Sequence, residues 1–478
     1  MRNTYGSLLI AILMASSACL AVESAQSPPS VATITGEIRD PTSREITFGY
    51  ESPSALESSG QHVVLDSLDC FAFELPAVRG IPVWGHYEGE RSIFFVEPGD
   101  SLHIVVEEGV YSFSGPNADN SRFIAELLPR FRSSSLGGYK DLEVEDFKRQ
   151  VEQRRRERFE FLAEGREKYT LSPRYIDYAT ANFNYQWAEL MMAYPTNYRV
   201  VNGHENRDIT PEYYDFLQGI PLVNEKAIGT DSYRWFLGLF LDWEDRNLSE
   251  AIQTQVDSIH TTPVGRTWNL AKRYDLAKQQ LEGRVLYWFL AGELIDGFER
   301  GGSEAFAVAY RKWEDFQQIN PHPEYNEPIR AALDEALKLQ PRQPAPAFTL
   351  DDLDGQSVSL GQFKGQVVLL DFWSSWCRPC ISDLPNLRKI KEKTVGWPVV
   401  FLNISLDVDE AAWREAIDKH EIEGVHVRAE GWSTEVTESY QVSVLPAYYL
   451  VDSQGLILDR LSGVEDTDEI VAMIEQGW

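Results

Sequence analysis

Gln366-Val367-Val368-Leu369-Leu370-Asp371-Phe372-Trp373-Ser374-Ser375-Trp376-Cys377-Arg378-Pro379-Cys380 is the stretch that decides how this chain is read. Residues 366–373 form a near-continuous apolar run, the pattern of a strand buried on both faces. Ile381 to Lys393 then reads as helix, so a strand feeds a Cys-x-x-Cys placed at a helix start. The unpaired N–H groups and macrodipole of a helix N-terminus stabilise an anion and favour the thiolate of a cysteine held there. Arg378 adds positive charge beside it. Cys377 is therefore expected to be the exposed nucleophile, attacking a disulfide as thiolate, and Cys380, one turn along, to resolve the mixed disulfide. Pro379 limits the backbone between them. The competing reading is half a zinc site. Zinc usually needs four ligands, and no second Cys pair exists and no His lies near the motif in sequence. The chemistry is expected to rest on the Cys377–Cys380 dithiol, with no metal and no other cofactor.

Working outward, the chain has 478 residues, enough for two or three domains. Its formal net charge of −30 argues against nucleic acid and against anionic membrane surfaces, because like charges repel. There are 4 cysteines, far too few for a structural disulfide framework. Cys70 is isolated in a possible strand, where a small buried residue is the commoner role. No apolar stretch reaches the roughly 20 residues that span a bilayer as a helix. At the amino terminus, Arg2 precedes the apolar run Leu8 to Met14, followed by Ala15, Ser16, Ser17, Ala18 and Cys19. Residues 1–25 thus read as a secretory signal. Ser17-Ala18-Cys19 resembles a bacterial lipoprotein site with Cys19 lipidated, and cleavage after Ala21 or Ala25 is the alternative. Either route exports the protein, to the periplasm in a bacterium with two membranes.

Three regions follow. Residues 31–115 alternate apolar and polar with Gly, Pro, Asn and Asp punctuation, and Ile34–Ile38, Ile93–Val96 and Leu102–Val106 read as strands of a small antiparallel β-domain. Glu97-Pro98-Gly99-Asp100 is a turn by composition. Residues 117–338 change to helical spacing. Phe183, Trp187, Leu190 and Tyr194 form one helix face, and Val285, Trp288 and Phe289 part of another. The charge run Arg154-Arg155-Arg156, flanked by Glu152 and Glu157, is expected to be a solvated helix face. Pro341-Arg342-Gln343-Pro344-Ala345-Pro346 stops the helices and opens a third region, 341–478. In it, Pro398–Ile404 reads as a strand and Glu410–Lys419 as a helix. Ala447–Val451 and Leu456–Leu461 read as a hairpin, and Asp466–Gln476 as a last helix.

The stretch from Pro344 to Trp478 resembles the TlpA/ResA branch of the thioredoxin superfamily. The matching pieces are Ala345-Pro346-Ala347-Phe348-Thr349-Leu350, Asp354-Gly355-Gln356-Ser357-Val358-Ser359-Leu360, Phe372 to Cys380, Leu384-Pro385, Pro446 and Asp452-Ser453-Gln454-Gly455. Upstream, Val96 to Leu102 and Ser114-Gly115-Pro116-Asn117 resemble the β-domain that often precedes such modules in exported bacterial proteins. The resemblance implies a multidomain chain: a C-terminal α/β thioredoxin fold preceded by a small antiparallel β-domain and an α-helical region. It implies that Pro446, in Val444-Leu445-Pro446-Ala447, is the cis-proline facing the cysteines, a bond type largely confined to proline. Trp376, Arg378, Pro379, Leu445 and Pro446 would then line the substrate path. Asp371, where many TlpA-type proteins carry Asn, departs towards thioredoxins proper and matches their buried carboxylate, which moves a proton to or from the second cysteine. Asp383 matches an acid, usually Glu, three positions after that cysteine. A plain acid near a helix N-terminus is its alternative role. The family implies a reductase of protein disulfides, sometimes those of apocytochrome c, fed by a membrane electron donor.

Two other functions compete. Peroxiredoxins share the fold, but their Thr-x-x-Cys is replaced here by Ser374-Ser375-Trp376-Cys377. The Tyr- and Trp-rich middle region could hold a peptide or glycan, with the cysteines auxiliary.

Overall fold

A computed structural model describes residues 31–52, 54–56, 58–131, 136–139, 142–202, 209–253, 270–299, 302–461 and 463–478. The expected signal over 1–25, with Cys19, lies outside these residues. Among the described residues no helix is long and apolar enough to cross a membrane. The chain forms two compact units that divide between Phe240 and Leu241.

The first unit begins with β1 (Val31–Ile38), β2 (Glu45–Glu51), β3 (Ser58–Val64), β4 (Cys70–Pro76), β5 (Ile81–Tyr87), β6 (Glu90–Val96), β7 (Ser101–Glu107) and β8 (Val110–Ser114). They make two four-stranded sheets, ordered β4-β1-β7-β8 and β3-β2-β5-β6. Every pairing is antiparallel except β1 with β7. The alternation seen in the sequence puts Ile34, Phe48, Phe73, Phe94 and Ile104 into one shared core. The turn at Glu97–Asp100 closes as its composition requires, the Glu97 N–H donating to Asp100 Oδ2 at 2.8 Å. Cys70 opens β4 half-buried, and no described cysteine is free.

Helices α1 (Ala118–Arg130), α2 (Val144–Lys168), α3 (Pro173–Asn202) and α4 (Asp231–Gln253) follow. On α3, Phe183 and Tyr194 are buried and Trp187 and Leu190 half-buried, the face its periodicity marks out. Tyr175, Tyr185, Tyr213 and Tyr233 are also buried. The arginine run corrects the expectation of a solvated face. Only Arg156 is exposed, because the Arg155 guanidinium lies 4.2 Å from the Trp187 ring centroid and donates twice to Asn184 Oδ1, at 3.1 and 2.8 Å.

The second unit contains α5 (Leu270–Gln280), α6 (Gly283–Glu299), α7 (Ser303–Ile319) and α8 (Asn326–Leu337). Val285, Trp288 and Phe289 of α6 are fully buried. After them come β9 (Thr349–Asp352), β10 (Ser357–Ser359), β11 (Val367–Trp373), α9 (Arg378–Lys393), β12 (Val399–Ser405), α10 (Glu410–His420), β13 (Val425–Arg428), α11 (Glu435–Ser439), β14 (Ala447–Val451), β15 (Ile457–Leu461) and α12 (Thr467–Gln476). The proline-rich segment before β9 is hydrogen-bonded in place. The Arg342 N–H donates to the Ile457 carbonyl at 2.7 Å, and the Ala345 N–H to that of Gly455 at 2.9 Å. The seven strands order as β10-β9-β13-β12-β11-β14-β15. β11 pairs parallel with β12 and antiparallel with β14. All its residues are buried, as an apolar central strand must be. One face carries Leu370, Phe372, Leu402 and Tyr449; the other carries Leu369, Trp373 and Tyr448 against α9, α10 and α12.

Candidate active site at the amino end of α9

Parallel β11 delivers the chain to the carboxyl edge of the sheet, where Ser374–Trp376 form a short loop and α9 begins. Cys377 is the N-cap of α9, its Sγ accepting the Cys380 N–H at 3.2 Å. Cys377 and Cys380 are joined as a disulfide, S–S 2.03 Å. Both are buried, Cys377 being only 4% exposed. This corrects the expectation of an exposed nucleophile. In the bonded form the Cys377 sulfur turns inward to its partner and to the helix N-terminus. Trp376, Arg378 and Pro379 stand exposed around it.

The Leu445–Pro446 peptide is cis. Leu445 is half-buried and packs against the cluster that contains both cysteines.

Beneath them lies a polar group in an apolar layer. Asp371 is central in β11, 4% exposed, and its Oδ1 has no hydrogen-bond partner among the described residues. Burial, and then the Asp383 charge, push its carboxyl up to about 7, with Lys391 acting the other way. Lys391 is itself pushed down by burial. Asp383, one turn beyond Cys380 on α9, is 6% exposed and accepts the Tyr448 hydroxyl at 2.9 Å. The shorter Asp side chain is thus engaged from β14.

Three contributors are invisible in the sequence reading. Asp407, just after β12, is 2% exposed. Its carboxylate accepts the Ser374 hydroxyl (2.9 Å), the Ser375 N–H (2.8 Å), the Ser375 hydroxyl (2.7 Å) and the Ser405 hydroxyl (2.8 Å). It ties down the loop that carries Cys377, whose own N–H donates to the Ser374 carbonyl at 3.1 Å. Tyr448 is the second. The third is Trp432, whose ring lies 6.2 Å from that of Trp376. These two indoles are 58% and 42% exposed for Trp376 and Trp432, unusual for large aromatics, and form an apolar platform beside the disulfide. Val408, 75% exposed, lies against Gly431 next to Trp432 and extends it. A polar signal for Asp407 did exist in Ser405-Leu406-Asp407, but nothing local tells that acid from a solvated one. No cluster of metal-ligating side chains occurs among the described residues.

The redoxin family model matches residues 340–474. The chain is similar to the thiol–disulfide oxidoreductase ResA of Bacillus cereus, 25% identical over 29% of this chain and 79% of that protein. It is similar to the thioredoxin-like protein YneN of Bacillus subtilis, 33% identical over 25% of this chain and 71% of that protein. Among solved structures, the thioredoxin domain of a Bacteroides vulgatus thiol–disulfide oxidoreductase is 33% identical, covering 29% of this chain and 97% of its own, TM-score 0.27. A Bacteroides fragilis thiol–disulfide oxidoreductase is 29% identical, covering 27% and 99%, TM-score 0.26. Through its C-terminal region this chain belongs to the TlpA/ResA-like thiol–disulfide oxidoreductases of the thioredoxin superfamily.

Proposed function

We propose that this protein is an exported reductase of protein disulfides that cycles Cys377 and Cys380 between dithiol and disulfide. The observation that carries this reading is the disulfide at the first turn of α9, in a domain whose Leu445–Pro446 peptide is cis and whose Leu445 packs against the core cluster of both cysteines. In the reduced form the Cys377 thiolate, favoured by the N-terminal amides of α9, attacks one sulfur of a substrate disulfide. A mixed disulfide forms and the second substrate sulfur leaves as thiolate. Cys380 gives its proton to the Asp371 carboxylate and attacks the Cys377 sulfur. The Cys377–Cys380 bond forms, the mixed disulfide breaks, and the departing substrate sulfur takes a proton from Asp371. The substrate gains two electrons, the cysteine pair loses two, and a dithiol donor must restore them.

The substrate backbone lies along Leu445–Pro446, with Trp376, Arg378 and Pro379 forming the rim. Residues 1–25 support export to the periplasm, with lipid attachment at Cys19 as one of two processing routes. The substrates are protein disulfides, apocytochrome c among the candidates, and the electron donor is a membrane dithiol protein. The test is reduction of insulin disulfides by the full mature chain, abolished by Cys377→Ser, together with the equilibrium potential. A potential in the thioredoxin range, near about −270 mV, supports the reductase; one near about −120 mV refutes it. Cys380→Ala should accumulate mixed disulfides with natural partners, and recovery of none would argue against protein substrates.

A further inference from the structure

The buried acids below the disulfide are not equivalent. Asp371 and Tyr448 are directly opposed in the β11–β14 register, so their side chains lie on the same sheet face, towards α9. Asp383 projects from α9 into that layer and receives the Tyr448 hydroxyl at 2.9 Å. Asp371 Oδ1, in contrast, has no hydrogen-bond partner among the described residues. One carboxylate of the pair is thus given a donor, while an oxygen of the other has none among the described residues. The donor comes from the strand that directly follows the cis-proline, two residues after Pro446.

We propose that Tyr448 is a positioning residue that keeps Asp383 ionised and thereby assigns the exchangeable proton of the buried pair to Asp371. A hydrogen bond to an ionised group favours that ionised state by roughly tenfold or more. Two carboxylates in one dry layer resist ionising together, so holding one as the anion leaves the proton on the other. The remaining titratable groups facing the pair are few. From α9, Lys391 acts on Asp371 by its charge; from β13, His426 lies beside Asn403 of β12 and feels Lys391. The Asp371 carboxyl pushed up to about 7 agrees with this assignment, the Asp383 charge being its second cause after burial. The functional consequence rests on the reading of Cys377 and Cys380 as the reacting pair. Tyr448 decides which carboxyl exchanges a proton with Cys380 at neutral pH.

The test uses the full chain with its disulfide intact, so that no thiol titrates. Aspartate side-chain carbons are followed by isotope-edited NMR, with Asp371→Asn and Asp383→Asn assigning the signals. In the parent protein the titration near neutrality belongs to Asp371. In Tyr448→Phe it should pass largely to Asp383, the Asp371 amplitude near neutrality falling by at least half. If it stays wholly on Asp371, the proposal is overturned. Asp383→Asn is the second variant: with the neighbouring charge gone, the Asp371 midpoint should fall, and an unmoved midpoint also overturns the proposal. Because the titration is read in the oxidised protein, it does not depend on turnover. Failure to reduce insulin would sink the functional reading while leaving this assignment to stand or fall on its own signals.

Discussion

Asp371→Asn removes the one carboxyl that β11 holds at the centre of an all-buried strand, and the structure sets both the sign and the size of the effect. In the folded protein this carboxyl is pushed up to about 7 from its ordinary 3.8, chiefly by burial. Below about pH 4 it is protonated whether the chain is folded or not, and it contributes no pH dependence. Between about 4 and 7 the unfolded chain releases the proton and the folded one keeps it, so stability falls as pH rises. Above about 7 the loss is complete and constant. A gap of about three pH units at 1.36 kcal/mol each makes this about 4 kcal/mol. Asparagine cannot ionise, so the variant should gain on the parent by about 1.4 kcal/mol per pH unit across that window and by a constant amount beyond it. Any misfit of the amide adds a pH-independent offset, which makes the slope the decisive quantity. The assay is pulsed hydrogen exchange across a urea series at several pH values, disulfide intact, reading peptides from β11 and β14 so that other domains do not enter. A stability difference between variant and parent that does not change between pH 4 and 8 would refute the reasoning. The same variant should slow the Cys380 resolving step, making Asp371 a group retained for chemistry at a cost in stability.

Two further outcomes follow from the rim of the site. Asp407→Asn leaves one oxygen where a carboxylate accepts from Ser374, Ser375 and Ser405, and should destabilise the unit by about 2–3 kcal/mol. It should also lower the rate of Cys377 attack on a small disulfide; stopped-flow reduction kinetics that match the parent would show that Asp407 does not hold the loop. Trp432→Ala removes half of an exposed indole platform and should cut kcat/KM for insulin by about tenfold while sparing a small aliphatic disulfide. Equal losses on both substrates would assign Trp432 to packing rather than to recognition.

What could be read from the residues follows from where each residue's surroundings come from. The cysteines were legible because their chemistry is local: strand, loop and helix start adjoin in sequence, and the N-cap contact spans only three positions. Asp371 was legible because its sequence neighbours, an unbroken apolar strand, are also its spatial environment. The exposure of Cys377 was misjudged because the argument concerned a reduced thiolate at a helix start, whereas here the sulfur is bonded to Cys380 and buried. The short strands β9, β10 and β13 carry too few residues for their own periodicity to identify them. The arginine run misled for another reason: its aromatic and amide partners sit on α3, about a helix away in sequence.

Asp407 and Tyr448 show what stood between the sequence and the site. Each works through a partner far along the chain, Ser374 for one and Asp383 for the other, with separations of 33 and 65 residues. Both contacts follow from strand register. Trp373 pairs with Ser405 in the parallel β11–β12 ladder, so the loops leaving those two strands must meet, and Asp407 meets Ser374 and Ser375. Asp371 pairs with Tyr448 in the antiparallel β11–β14 ladder, which carries the tyrosine over the layer that α9 covers. Shifting β14 by one residue would turn Tyr448 to the opposite face and leave Asp383 without this donor. The placing of Tyr448 over Asp371 and against Asp383 is therefore a property of strand pairing, and strand pairing is the information that periodicity and composition do not contain.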